Sequence, residues 1–206
     1  MEKLQNNTNL IVVKEDFVYN KEKAKYDLAK VKEFEKLADF SESDATLTIL
    51  PELEKIGGIG LTSFYNSNIK RLPKLTYIGG AVDFSYSKIE NLSELTSVGG
   101  YANFAGTPIK DLPKLKTIFG YASFEGTLIK ELPNLEVVNG AIFIDKNNLI
   151  AMPKLKVCDG GICLCDYAEK GVYYSTVDQE YSHLVWIDKK CSIAEYNELV
   201  KKQNKK

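Results

Sequence analysis

The sequence predicts an α/β repeat solenoid, a parallel β stack that is mostly strand and loop, with an N-terminal capping helix and a C-terminal β/α cap. Three observations lead to this fold class. A unit of 20 residues recurs, each unit alternates apolar and polar residues as a half-buried strand does, and the flanking segments depart from the unit. We therefore expect an N-terminal cap over residues 1–39, a solenoid over residues 40–167 and a C-terminal cap over residues 168–206.

The repeat is visible as four consecutive units, the first of which reads LPKLTYIGGAVDFSYSKIEN. Residues 50–71 carry the same unit with two residues inserted after a glycine pair, a sixth unit begins at Met152, and a degenerate leading unit is predicted around Phe40. A connection of this length can return each strand parallel to the previous one, about 4.8 Å away. The four regular units are residues 72–91, 92–111, 112–131 and 132–151.

Each unit contains one strand whose alternate residues are predicted to fill the interior, as with Val82 and Phe84. A glycine pair such as Gly79 and Gly80 marks one corner, where the backbone turns tightly or visits positive φ. Proline, as at Pro73, fixes the opposite corner, and the leucines on either side of it are expected to complete the interior.

The second half of the unit resembles the leucine-rich repeat, whose motif is L-x-L-x-x-N-x-L, and the whole unit, LPxLxxIGGxxxFxxSxIKx, resembles bacterial or phage members of that family. The match is closest at Ile142, Ile144, Asn147 and Leu149, where the family's ladder asparagine is present. The resemblance covers about residues 40–167 and implies a buried ladder of hydrogen-bonding side chains. The IGG motif also resembles that of receptor L domains, so a flatter β-helix-like solenoid stays open. In the other units the ladder position holds Ser67, Ser87, Thr107 and Thr127.

The segments that flank the repeats are predicted to cap the ends of the stack. Residues 21–38 place five apolar residues on one face of a helix amid Lys and Glu, which predicts a surface helix docked on the core. Residues 10–13 and 17–19 are predicted to form short strands before this helix. At the other end, Ser192 and Glu195 form a capping-box pattern that predicts a helix over about residues 192–202. The apolar residues of the first helix are Ala24, Leu28, Val31, Phe34 and Ala38.

The charge of the chain is nearly balanced, since 27 Lys and Arg against 28 Asp and Glu give a formal net charge of −1. This disfavours a strongly basic nucleic-acid binder, although Lys70, Lys110 and Lys130 form the nearest approach to a basic stripe. No apolar run approaches the ~20 residues of a membrane-spanning helix, and the first residues show no signal peptide. We expect no membrane association and a cytoplasmic protein, either of a bacterium or, if phage-encoded, of the host cell.

Residues for catalysis or cofactor binding are sparse, and we expect neither an enzyme nor a cofactor. The single histidine, His183, lies in an alternating apolar segment and is interpreted as a packed or surface residue. The four cysteines, Cys158, Cys163, Cys165 and Cys191, leave free thiols, a metal site and a disulfide open. The spacing lacks the paired C-x-x-C motifs of structural zinc sites, and the absence of a signal sequence disfavours a disulfide.

The outward residues of the stacked strands are the predicted binding surface, because a solenoid sheet presents a broad continuous face. They are aromatic with scattered carboxylates and include no Lys or Arg, which favours a partner protein over nucleic acid or a small-molecule substrate. Stacking of the tyrosines on one another is the alternative explanation. The predicted contact residues are Tyr65, Asp83, Tyr101, Asn103, Tyr121, Ser123, Glu125, Phe143 and Asp145.

The leading functional hypothesis is a non-enzymatic protein-binding module. The many Lys, Asn, Ile and Tyr residues are typical of an AT-rich bacterium or one of its phages, so the specific version is an inhibitor of a host or defence protein. The alternatives are a nucleic-acid-binding protein that uses the Lys70, Lys110 and Lys130 edge, and a protein stabilised by metal bound to the cysteines.

Overall fold

The computed structural model describes residues 10–22, 25–165, 187–203 and 205, and they form a parallel β-solenoid of about eight turns. Each turn adds one short strand to each of two sheets, here called sheet A and sheet B, and the glycine pairs lie at the corner between the two strands. Equivalent positions pair in register through the regular units, as Ser97 does with Thr117 in sheet A. The predicted fold class is confirmed, with a second strand per turn that the repeat did not predict.

Sheet A contains eight parallel strands in chain order. They are β1 (Ile11–Val13), β3 (Val31–Phe34), β5 (Lys55–Ile56), β7 (Tyr77–Ile78), β9 (Ser97–Val98), β11 (Thr117–Ile118), β13 (Val137–Val138) and β15 (Val157–Cys158). Sheet B contains nine strands, all parallel except the last, which pairs antiparallel with its neighbour. They are β2 (Phe17–Val18), β4 (Ala38–Asp39), β6 (Leu61–Ser63), β8 (Ala81–Asp83), β10 (Ala102–Asn103), β12 (Ala122–Ser123), β14 (Ile142–Asp145), β16 (Ile162–Cys165) and β17 (Ile187–Cys191). The helical segments are α1 (Tyr19–Glu22), one 3-10 turn (Leu28–Lys30) and α2 (Ile193–Gln203).

A column of phenylalanine rings, one per turn, forms the interior behind sheet B. The ring of Phe104 stacks on Phe84 and on Phe124 with centroid distances of 5.5 and 5.4 Å and interplanar angles of 14° and 3°. The column continues through Phe64 to Phe40, with centroid distances of 4.8 Å from Phe84 to Phe64 and 5.1 Å from Phe64 to Phe40. All of these rings are buried. The predicted inward direction of alternate strand residues and the degenerate leading unit at Phe40 are therefore confirmed.

The threonines at the predicted ladder position close turns locally instead of linking one turn to the next, and the buried hydroxyls of Ser67 and Ser87 have no hydrogen-bond partner among the described residues. Thr107 and Thr127 are buried, and each Oγ1 donates a 2.7 Å hydrogen bond to the carbonyl oxygen three residues earlier. Asn147, the closest match to the family motif, is exposed, and its backbone N–H donates to Asp145 Oδ1 at 2.8 Å. The neighbouring Asn148 reaches the previous turn instead, donating from Nδ2 to the carbonyl of Thr127 at 3.1 Å. The expectation of a buried ladder asparagine at position 147 is wrong.

The helix predicted over residues 21–38 is also wrong. In the described part of this range, strands β3 and β4 belong to sheets A and B, and one 3-10 turn precedes them. The buried residues at the ends of β3, Val31 and Phe34, are three positions apart, a spacing that fits a helix face and also a short strand ending at a corner. Glu35 and Lys36 take the corner that glycines occupy in the next turns, which hides the repeat in the sequence.

The strands of both sheets begin well before the predicted boundary at residue 40. Strand β1 pairs with β3 in sheet A and strand β2 pairs with β4 in sheet B, so residues from Ile11 onward continue the stack. The division into caps at 1–39 and 168–206 and a solenoid at 40–167 stays a prediction about folding units.

The C-terminal helix is present as predicted, over Ile193–Gln203. Its capping box forms, since Ser192 N–H donates to Glu195 Oε2 at 2.8 Å and Glu195 N–H donates to Ser192 Oγ at 3.3 Å. Tyr196 is buried, and its hydroxyl accepts from Ile150 N at 2.8 Å and donates to Ile150 O at 3.0 Å. The helix and strand β17 therefore cover the last turns, while His183 lies outside the described residues. No helix in the described part of the chain is long and apolar enough to cross a membrane.

Exposed ion pairs join neighbouring turns at the position that follows the proline of a unit, or Ser93 in the unit that lacks it. Glu52 pairs with Lys74 at 2.7 Å and Glu94 pairs with Lys114 at 2.6 Å. Pairs of this kind contribute only about 0.2–1 kcal/mol each. Because each pair bridges equivalent positions of adjacent turns, it favours the observed register of the stack over a slipped one.

Candidate functional site

The outer face of sheet B is the surface that points away from the phenylalanine column, and the predicted contact residues lie on it. Strand alternation turns every second residue outward, and the parallel register lines up equivalent positions of successive turns. The outward positions of strands β4 to β14 hold no Lys or Arg. The central row of the face pairs in register as Ser63, Asp83, Asn103, Ser123 and Phe143.

Three adjacent aromatic rings, Tyr101, Tyr121 and Phe143, form what we call the aromatic patch. The rings of Tyr101 and Tyr121 stack at 4.7 Å with an interplanar angle of 9°, and Phe143 meets Tyr121 edge-on at 6.1 Å. All three side chains are half-buried. The stacking of tyrosines along the ladder, left open by the sequence, is therefore present.

A second pair of tyrosines, Tyr65 and Tyr86, stands at the other end of the strands. Their rings meet edge-on at 6.1 Å. Tyr86 has a φ of 56°, in the left-handed region, where the next turns hold Gly106 and Gly126. A bulky side chain in that region is uncommon and strained. Sequence reasoning missed Tyr86, although a tyrosine at a position where the following two units hold glycine was the available signal.

Several predicted contact residues are largely buried, although their positions in the strands face outward. Asp83, Asn103 and Ser123 are nearly fully buried, and Glu125 is only 2% exposed. Their polar groups are used locally: Asn103 Oδ1 accepts from Ala105 N at 3.0 Å, and Ser123 Oγ donates to Glu125 Oε2 at 2.8 Å. Asp145 is half-buried, and its Oδ1 closes the same kind of turn. Whether these residues contact a partner stays a prediction.

Asp83 is, with Glu125, one of two buried carboxylates among the predicted contact residues of this face. Its Oδ1 accepts two hydrogen bonds from Ser85, from the backbone N–H at 2.9 Å and from Oγ at 2.6 Å. Burial raises the pKa of Asp83 above its usual 3.8, and the two hydrogen bonds from Ser85 oppose that rise. An acid whose pKa is raised on folding binds more protons in the folded state than in the unfolded state. The free energy of unfolding therefore falls as the pH rises from 3.8 through the raised pKa of Asp83.

We expect Asp83→Asn to be more stable than the wild type at neutral pH. An asparagine can close the same turn, as Asn103 does one turn later, without a buried charge. Chemical denaturation between about pH 3.5 and 7.5 should show the advantage of the variant growing as the pH rises. The control, Asp83→Ala, loses the turn-closing acceptor and should be less stable than Asp83→Asn by about 1 kcal/mol. A constant difference between wild type and Asp83→Asn across this range would contradict the sign of the pKa shift.

The cysteines gather at the last described turn of the solenoid. Cys163 and Cys165 lie on β16 and are buried, Cys191 is buried in the core, and Cys158 is half-buried with its thiol 3.6 Å from the carbonyl of Gly140. All four are free thiols. Burial raises the pKa of Cys158 to about 11 and raises that of Cys165 as well. Among the described residues, no group of three or more His, Cys, Asp or Glu side chains is placed to hold a metal ion.

The lysines of the rival hypothesis are exposed, and acidic residues dilute their charge. Lys70, Lys110 and Lys130 lie on the surface beside exposed Asp111 and Glu131. Lys130 Nζ donates to the side-chain oxygen of an asparagine in the next turn. The three lysines thus form an interrupted row of positive charge along this edge and do not converge on one site.

Two exposed apolar residues on the glycine corner were also missed. Ile59, in the two-residue insertion, is 94% exposed, and Phe119 is 54% exposed. Both could have been identified as apolar residues that interrupt the glycine positions of the repeat.

Comparison of the chain with protein-family models, with curated proteins and with solved structures finds no match.

Proposed function

We propose that this chain is a non-enzymatic protein-binding module whose partner protein docks on the aromatic patch of sheet B. The observation that carries the proposal is the continuity of Tyr101, Tyr121 and Phe143 across three successive turns, half-buried and in mutual contact. Rings held in this way offer large contact area at little further cost in side-chain entropy. The absence of Lys and Arg from the outward positions of strands β4 to β14 favours a protein over nucleic acid.

The double change of Tyr101 and Tyr121 to Ala should abolish partner capture. Aromatic anchors at interfaces often contribute about 2 kcal/mol or more each, so binding should weaken more than 100-fold for the pair, about 4 kcal/mol in total. The wild-type chain, used as bait in its native host, identifies the partner by mass spectrometry. Purified partner is then titrated against each variant by calorimetry, with circular dichroism to check folding.

Two controls separate the aromatic patch from its rivals. Tyr77→Ala removes a tyrosine that is 38% exposed on sheet A and should leave partner affinity unchanged. Charge reversal at Lys70, Lys110 and Lys130 should also leave it nearly unchanged. Loss of binding in the lysine variant alone, with affinity that falls steeply as salt rises, would instead favour the nucleic-acid hypothesis.

The family and the biological setting are part of the proposal. The L-x-L spacing supports a leucine-rich repeat. The two strands in each turn, one in each sheet, support the flatter β-helix-like solenoid suggested by the resemblance to receptor L domains. The composition supports a bacterial or phage origin, with the chain acting in the cytoplasm as an inhibitor of a host or defence protein. A metal-stabilised role for the cysteines is the weakest alternative, since their raised pKa values oppose the thiolate form that metals bind.

A further inference from the structure

Asp83 lies in the central row of the outer face of sheet B. Its in-register neighbours are Ser63 in the previous turn and Asn103 in the next. The next outward residue of its own turn is Ser85. Only short side chains therefore surround the carboxylate on these three sides.

Tyrosines stand on two sides of Asp83. Tyr65 and Tyr101 lie on opposite sides of Asp83, each displaced by one turn and by two residues along the strand direction, which by strand geometry puts each Cα about 8 Å from that of Asp83. Each is braced by a second ring, Tyr65 by Tyr86 at 6.1 Å and Tyr101 by Tyr121 at 4.7 Å. Two tyrosine pairs therefore flank the carboxylate of Asp83.

Only one of the two carboxylate oxygens of Asp83 accepts hydrogen bonds from the described residues. Both of its hydrogen bonds, from Ser85 N and Oγ, are to Oδ1. No described Lys or Arg pairs with Asp83, and among the described residues no hydrogen bond reaches Oδ2, although the residue is only 6% exposed. The turn needs no charge, because Asn103 closes the equivalent turn with an amide oxygen. An unpaired, nearly buried carboxylate is costly to maintain for a structural purpose alone.

We propose that Asp83 and the two tyrosine pairs form a pocket for a cationic side chain, arginine or lysine, of the partner protein. This inference rests on the proposed function and specifies the chemistry of its partner. A cation would take a charge-assisted hydrogen bond to Oδ2 and lie against tyrosine faces, both of which strengthen in a desolvated site. Tyr86, which braces Tyr65, takes the left-handed backbone position that Glu42 and Asn66 take in the two previous turns and glycine takes in the next two.

The test titrates the full-length chain with N-acetyl-arginine amide and with its uncharged counterpart, N-acetyl-norleucine amide. The readout is the carboxyl ¹³C resonance of Asp83, assigned by its absence from the spectrum of Asp83→Asn. We expect a saturable shift with the arginine probe alone. The tyrosine ring resonances should report at least tenfold weaker arginine binding in Asp83→Asn, which is expected to fold because Asn103 makes the same turn. Asp145→Asn, which changes another turn-closing aspartate of this face, should bind like the wild type.

The outcomes separate the pocket from the wider proposal. No saturable shift, an equal shift with the norleucine probe, or unchanged arginine affinity in Asp83→Asn would overturn the pocket. If the arginine probe requires Asp83 but the Tyr101 and Tyr121 double variant still captures the partner, the pocket stands and docking on the aromatic patch falls. If the double variant loses the partner while Asp83→Asn keeps its arginine affinity, the patch stands and the pocket falls.

Discussion

Replacing Phe104 by Ala should destabilise the chain by about 3–5 kcal/mol, because the phenyl ring is packed on both sides by the rings of the adjacent turns. The neighbouring rings are at 5.5 and 5.4 Å and belong to rigid, hydrogen-bonded turns, so they cannot collapse into the cavity. A solenoid is stabilised largely through contacts between neighbouring turns. The loss should therefore also weaken the coupling between the two halves of the stack, seen as a smaller denaturant dependence of unfolding.

The matched control for this experiment is Phe119→Ala. Phe119 is 54% exposed at the glycine corner, so its truncation should cost under about 0.5 kcal/mol. Urea or guanidinium denaturation followed by circular dichroism compares the two variants directly. Equal destabilisation of both would mean that the inner and outer faces of the turns have been assigned backwards.

The phenylalanine column could be predicted because its signal repeats. In a single unit, the apolar spacing of Val82 and Phe84 does not decide which way their side chains point. Because the same positions are apolar every 20 residues, they are predicted to point inward in every turn. Sheet A gave no such signal. Its strands in the regular units are only two residues long, as in Tyr77–Ile78, which is too short for a period-two pattern. The repeat therefore predicted the stack and its core without predicting that each turn has two strands.

The wrong helix over residues 21–38 has a different cause. The corner before Phe40 holds Glu35 and Lys36 where the next turns hold glycine, so the most visible mark of the repeat is missing there. The spacing of Val31 and Phe34 then matched a helix as well as it matched a strand. Local spacing favoured the helix, whereas in the structure Val31 and Phe34 belong to strand β3, which pairs with β1 and β5.

The outer face was predicted correctly in direction but not in exposure. Alternation identifies Asp83 and Asn103 as outward residues, and it cannot reveal that their side chains turn back to accept backbone N–H groups two residues on. The preference of Asp and Asn for such turns was a usable signal. Side-chain length also mattered, since Tyr101 and Tyr121 reach past the short central row and remain half-buried.

Replacing Gly120 by Ala should be nearly as damaging as losing a core ring, at about 3 kcal/mol. A Cβ there would lie 2.6 Å from Tyr101 N, 2.8 Å from Tyr101 Cα and 2.9 Å from Gly100 C. All three atoms are backbone of the previous turn, so no rotamer change relieves the clash and the turns must separate. The second position of the corner holds glycine in both turns, as Gly100 and Gly120.

The same substitution tests whether the corner also positions the aromatic patch. Gly120 precedes Tyr121, whose ring stacks on Tyr101 at 4.7 Å, so forcing the turns apart should weaken the tyrosine signal in near-ultraviolet circular dichroism as well as the stability. Gly57→Ala is the matched control, because its nearest neighbour would be Glu35 O at 3.2 Å, a distance that a small shift can relieve; it should cost under about 1 kcal/mol. If Gly120→Ala is as stable as Gly57→Ala, the turns can separate at Gly120 without cost. The close approach of the backbones would then not explain why this corner holds glycine.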